Sequence, residues 1–212
     1  MQLLTVGDSF TYGDELADLK SAWPNLLANK LGYTLNNQAK PACGNSRMVR
    51  LAVENVDNYD ILIVAWTHWA RTEIADESGY YDIWPGCSPR AHIDHNPWRS
   101  DLIEYYNKHH SDEYLYRQYL LNIVLLQNFL ISNGKKYLML DAFGNHQYIG
   151  RRKNQDLIKQ INTEYFVGWP MESMMEWTYG AEQGPNGHFL EQGHVRVAEK
   201  IYSHMEQLLC PN

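Results

Sequence analysis

Residues 61–65, Ile-Leu-Ile-Val-Ala, are apolar without a break between Asp60 and Trp66. A strand with one wet face alternates apolar and polar residues. An unbroken apolar run needs cover on both faces, the condition of a central strand in a helix-flanked parallel sheet. The rest of the chain supplies its partners. Residues 3–6, 33–36 and 136–140 read as further strands. Trp23–Leu31, with Pro24 in its first turn, reads as a helix, as does 46–55 with Met48, Leu51 and Ala52 on one face. Asp112–Ser132 is a long helix with Tyr116, Tyr119, Leu120, Ile123, Val124 and Leu130 inward, closed by Asn133-Gly134. A last helix, about Glu191 to Leu209, carries Val195, Ala198, Ile201, Tyr202, Met205 and Leu208 at three- and four-residue steps. Alternating elements predict an α/β fold, a three-layer αβα sandwich with a mainly parallel sheet. Its ligands are expected at the carboxyl ends of the strands, where Ser9, the 42–45 loop and residues 66–68 fall.

The 212 residues suit one domain, and the 44% hydrophobic and 20% charged content is that of an ordinary globular protein. A net charge of −7 without a Lys/Arg cluster argues against nucleic-acid binding. The three cysteines, Cys43, Cys87 and Cys210, have no paired or zinc-like spacing, which fits a reducing compartment. Residues 2–6 already read as a core strand, so no signal peptide is expected, and no apolar run spans a membrane. A soluble protein, cytoplasmic or virion-associated, is the expectation.

Residues 72–111 interrupt the alternation. They hold Tyr80, Tyr81, Trp84, Trp98, Tyr105 and Tyr106 among several prolines and glycines, in a chain with 15 Tyr and 7 Trp. So long an excursion from the active edge is read as a cap that binds substrate or a partner, or else as packing over the sheet end. His92, Asp94, His95, His109 and His110 lie within it at spacings that match no zinc motif, so neither a metal nor another cofactor is expected.

The first strand runs into Gly7-Asp8-Ser9-Phe10-Thr11-Tyr12-Gly13. A serine at a strand's end that opens a helix collects free N–H groups, as acyl transfer at serine requires; alternatively, Ser9 only caps that helix. Near the other end stands Gly187-His188-Phe189-Leu190-Glu191-Gln192-Gly193-His194. His188 is a candidate base, or a surface-loop histidine; His194, just inside the last helix, is a packing or capping residue.

Together these motifs resemble the SGNH/GDSL family of serine hydrolases, with 22–32 similar to its first helix and 37–46 to its second block. The string Trp66-Thr67-x-x-x-Arg71 resembles divergent members from bacteriophage genomes. The resemblance implies a flavodoxin-like SGNH fold, Ser9 as nucleophile, His188 as base and Asp8 as a brace of the turn. It also implies an oxyanion hole from the N–H groups of Ser9 and Ala42, with Gly44 as the competing alignment. His68 stands where the family has an asparagine, and a neutral imidazole still offers one N–H.

The family's acid, three residues before the histidine, is replaced by Pro185. Glu182, Asn186 or a main-chain carbonyl is left to orient His188, while Glu191 begins the last helix. Asn45 is a spare amide near the oxyanion site, and Arg71 is suited to an anionic substrate group or to a structural ion pair. The implied activity is removal of a small acyl group from an ester, with an acetylated glycan as one substrate. The alternative is a binding or virion-type module that keeps the fold without the chemistry.

Overall fold

The computed structural model describes residues 1–77, 79–87, 97–145 and 149–209. In chain order the elements are β1 (Gln2–Val6), α1 (Ser9–Tyr12), α2 (Trp23–Leu31), β2 (Thr34–Asn37), α3 (Asn45–Glu54), β3 (Ile61–Trp66), β4 (Thr72–Asp76), β5 (Gly79–Ile83), α4 (Pro97–His109), α5 (Asp112–Ser132), β6 (Lys136–Asp141), α6 (Gln155–Ile158), β7 (Phe166–Val167), α7 (Met174–Trp177) and α8 (Glu191–Leu209). Five strands form a wholly parallel sheet in the order β2-β1-β3-β6-β7. This is the doubly wound order whose crevice opens where β1 and β3 diverge in connection, at their carboxyl ends.

The apolar run of β3 is explained by its neighbours. Leu62, Val64 and Trp66 enter one core with Met48 and Ala52 of α3 and Tyr116, Tyr119 and Ile123 of α5. Ile61, Ile63 and Ala65 enter the other with Trp23 and Leu27 of α2 and Val197 and Ile201 of α8. Both faces are therefore apolar, and every residue of β3 is buried. The fifth strand, β7, has two residues and no periodicity for a sequence reading to find. The expected inward face of α8 needs one correction: Val195 is 43% exposed. The buried stripe runs instead through His194, Val197, Ala198, Ile201 and Met205.

His194 has a structural task. Its Nδ1 accepts the N–H of Trp23 at 3.2 Å, supplying the cap that Ala22 cannot give α2. Burial pushes this imidazole down to about 4, with the charge of His188 a smaller cause, so it stays neutral. A Cβ on the preceding Gly193 would stand 2.5 Å from the Cβ of Phe189, so the glycine permits that packing.

The 72–111 segment is regular where described. β4 and β5 form an antiparallel hairpin docked on α3, where Arg50 makes two 2.8 Å bonds to Glu73. Cys43 and Cys87 are buried and form no disulfide among the described residues, and Cys210 lies outside them. Among the described residues, no helix is long and apolar enough to cross a membrane.

Candidate active site

Ser9 is the first residue of α1, 7% exposed, at the end of β1. Asp8 caps that short helix, with Oδ1 accepting the Phe10 N–H at 3.1 Å. Its Oδ2 accepts the Thr67 hydroxyl at 2.6 Å and faces Arg71 Nη1 at 3.5 Å. Burial raises the Asp8 carboxyl above its ordinary value, and Thr67, Arg71 and the Phe10 N–H offset part of that rise. Asp8 thus fastens the ends of β1 and β3 together. Arg71 also donates to Thr67 Oγ1 at 3.1 Å, so of the two roles open to it the structure shows the ion pair. Gly7 leaves room for Thr11, whose Oγ1 would otherwise lie 2.1 Å from a Cβ.

A carboxylate from the other end of the chain reaches His188. Glu15 Oε2 lies 2.8 Å from His188 Nδ1. The same carboxylate accepts the N–H of Asn186 at 2.9 and 3.1 Å, the Asn186 side-chain amide at 3.1 Å and the His188 N–H at 3.2 Å. Residues 184–188 form a tight turn around it, closed by Gly184 N–H to the His188 carbonyl at 2.8 Å. A Cβ on Gly184 would sit 2.7 Å from the Glu15 carboxyl carbon, so a side chain there would displace the carboxylate from this position. On the other side Glu15 adopts φ 69°, a left-handed conformation rare outside glycine and strained at functional sites. Partial desolvation pushes the Glu15 carboxyl up, but the bonds from Asn186 and His188 outweigh it and hold the group below the usual range.

Two expectations are corrected here. Glu182 is exposed and only its carbonyl takes part locally, accepting the Leu190 N–H; it does not reach His188. Asn186 braces Glu15 rather than the imidazole. The sequence held no signal for Glu15, because carboxylates nearer in sequence, Glu182 and Glu191, stood closer to His188.

An ionised Glu15 fixes a proton on His188 Nδ1 and leaves Nε2 as an acceptor. The ring packs on Phe10, next to Ser9, with centroids 5.0 Å apart. Among the described residues no hydrogen bond joins Ser9 Oγ to His188.

Three N–H donors on the segments that follow β1, β2 and β3 make no hydrogen bond among the described residues. As a helix-opening residue, Ser9 has an N–H without an intrahelical partner. Ala42 adopts φ 60°, on a loop fastened to Gly7 by Lys40 N–H and Cys43 Sγ, and its N–H meets no acceptor among the described residues. His68 Nδ1 accepts the Ala70 N–H at 3.2 Å, which places the ring proton on Nε2. Burial, with Arg71 adding to it, holds this imidazole below its ordinary value and neutral.

Gly44 is corrected as an oxyanion donor, because its N–H is spent on Asp82 Oδ1 at 2.7 Å. Asn45 is corrected too. Its Oδ1 accepts the Thr67 N–H and its Nδ2 donates to the carbonyl of His68, so the 1%-exposed amide braces the 67–71 loop and is not free for a ligand.

A second brace lies below. Asn145 links the Trp69 N–H and the Thr67 carbonyl to Asp141, which also accepts the Tyr119 hydroxyl at 2.5 Å. Burial pushes the Asp141 carboxyl up to about 7. A folded-state value above the unfolded one means this group's contribution is fully present below about pH 4 and is lost as pH rises toward 7. Asp141→Asn, which keeps the acceptor, is therefore expected to flatten that fall and to gain up to about 4 kcal/mol over wild type near pH 8. Urea melts of both proteins across pH check it, and parallel curves would refute it.

A cavity of about 380 Å³ opens beside His68, walled by Trp69, Arg71, Trp84 and Phe143. Among the described residues no cluster of His, Cys, Asp and Glu has the arrangement of a metal site. His92, Asp94 and His95 lie outside the described residues, while His110 pairs with Asp112 at 3.2 Å.

The model of a family described as "Family of unknown function (DUF6071)" matches residues 14–210. No match is found among curated proteins. Among solved structures, the crystal structure of TesA superposes with TM-score 0.60 at 14% identity, over 98% of this chain and 99% of that one. A putative lipolytic G-D-S-L protein from Desulfitobacterium hafniense DCB-2 gives 0.57 at 10% identity, over 96% and 98%. A two-domain esterase active on acetylated mannans gives 0.57 at 12%, over all of this chain and 50% of that one. At these identities the likeness establishes the α/β SGNH hydrolase fold.

Proposed function

We propose that this chain, which belongs to DUF6071, a family of unknown function, is a serine ester hydrolase that removes a small acyl group. The observation that carries the reading is the 2.8 Å contact of Glu15 with His188 Nδ1, which sets the imidazole in the tautomer that a general base needs. Ser9 Oγ attacks the acyl carbonyl and its proton passes to His188 Nε2. The negative charge that develops on oxygen is met by the N–H groups of Ser9 and Ala42 and by His68 Nε2–H. His188 then protonates the departing alcohol, and water, deprotonated in turn by His188, releases the acyl group from Ser9.

The modest cavity beside His68 favours a short acyl group. Its aromatic walls, and the likeness of fold to an esterase active on acetylated mannans, support an acetylated glycan as substrate. The test is hydrolysis of p-nitrophenyl acetate, butyrate and octanoate and of acetylated mannan. Acetate release is expected to lead, and turnover of none above buffer would contradict the proposal. His68→Ala is expected to lower kcat by about 100- to 1,000-fold with little change in KM, the effect of losing one oxyanion donor. An unchanged kcat would remove His68 from the hole.

One observation favours a second reading, a binding module without chemistry: Ser9 Oγ and His188 are not hydrogen-bonded here. Ligand-free hydrolases often show that bond long and tighten it with substrate, so the hydrolase reading stands ahead.

A further inference from the structure

A second cavity, of about 260 Å³, shares Trp69 and Arg71 with the one at His68 and is closed by α4 and α5. Its lining defines a ligand chemistry. Trp69, Tyr106 and Tyr114 bring ring surfaces to it, and Tyr114 is 60% exposed. Gln118 and Asn122, one turn apart on α5, bring two half-buried side-chain amides that make no hydrogen bond among the described residues. Each amide offers two N–H donors and a carbonyl acceptor.

The one charged side chain among the described lining residues, Arg71, is already engaged with Asp8 and Thr67. A phosphate or carboxylate would find no free cation here. An acyl chain would bury both amides without partners. A ring with one C–H face and a rim of hydroxyls satisfies the aromatic surfaces and the amides together.

We propose that this cavity is a subsite for one ring of a neutral glycan, read by Gln118 and Asn122, beside the ring whose ester meets Ser9. The link to Ser9 rests on the hydrolase reading; the sugar recognition does not. Tyr106 belongs to the 72–111 segment, so that segment supplies specificity as one wall of the subsite.

The test separates the two claims. Mannopentaose, cellopentaose and xylopentaose are titrated by calorimetry into the Ser9→Ala protein, which binds without turnover. At least one is expected to bind, and Gln118→Ala with Asn122→Ala added to that background is expected to weaken it about tenfold or more. Asn122→Leu, which keeps helix and volume, is expected to weaken it in the same direction, and melting curves identify any variant that is unfolded. In the Ser9 protein, the ratio of kcat/KM on acetylated mannan to that on p-nitrophenyl acetate is expected to fall in the same variants. Binding of none of the three saccharides, or binding indifferent to both amides, overturns the subsite. Saccharide binding with no ester turnover on any substrate overturns the hydrolase reading and leaves the subsite standing.

Discussion

Ser9→Ala and His188→Ala are each expected to lower kcat on p-nitrophenyl acetate by about 10⁵- to 10⁶-fold, to a residue of activity set by the oxyanion donors alone. Nucleophile and base act as one unit, so the double variant is expected to be no slower than either single one. Neither change should unfold the protein. The Ser9 hydroxyl makes no hydrogen bond among the described residues, and the His188 imidazole packs at the surface of the Phe10 cluster with 15% of its side chain exposed. Steady-state rates beside melting curves check this. A loss below about tenfold in either variant would mean that turnover does not pass through these groups.

Glu15→Gln is expected to cost about 10³- to 10⁴-fold in kcat with KM nearly unchanged. The carboxamide fits the same turn, and with its oxygen in the Oε1 position it still accepts the N–H and the side-chain amide of Asn186, while its NH₂ takes the place of the Oε2 that faces His188. Its NH₂ must then donate to His188 Nδ1, which moves the ring proton to Nε2 and leaves no acceptor for the Ser9 proton. A role confined to holding the 184–188 turn would give a different pattern, in which stability falls and kcat per folded molecule survives. Melting curves read beside kcat per folded molecule separate the two. Glu15→Asp, one methylene short of the imidazole, should recover only part of the rate.

The sheet was legible because its signals are local. The unbroken β3 run demanded cover on both faces, and the α5 and α8 patterns supplied two of the covering helices. Val195 was misplaced because apolar spacing sets a helix's period but not its phase. That phase is fixed by His194 reaching the Trp23 N–H. The places of the candidate residues were legible because they are local: Ser9 follows β1, His68 stands two residues beyond β3 and His188 precedes α8, while their roles belong to the proposal.

Partners drawn from distant segments were not legible. Glu15 is 173 positions from His188, and nothing around it marks it as an acid. Gly44 and Asn45 looked like free donors because their acceptors, Asp82 and the carbonyls of the 67–71 loop, belong to other segments. Hydrogen-bond accounting of this kind closes only in three dimensions.

A fluorophosphonate that phosphonylates activated serines, followed by intact-mass analysis and peptide mapping, tests without assuming a substrate whether Ser9 is a nucleophile activated by His188 under Glu15. One adduct per chain is expected, on Ser9, formed rapidly in wild type, slowly in Glu15→Gln and His188→Ala, and not at all in Ser9→Ala. No adduct on wild type, or an adduct that persists in Ser9→Ala, would contradict that role.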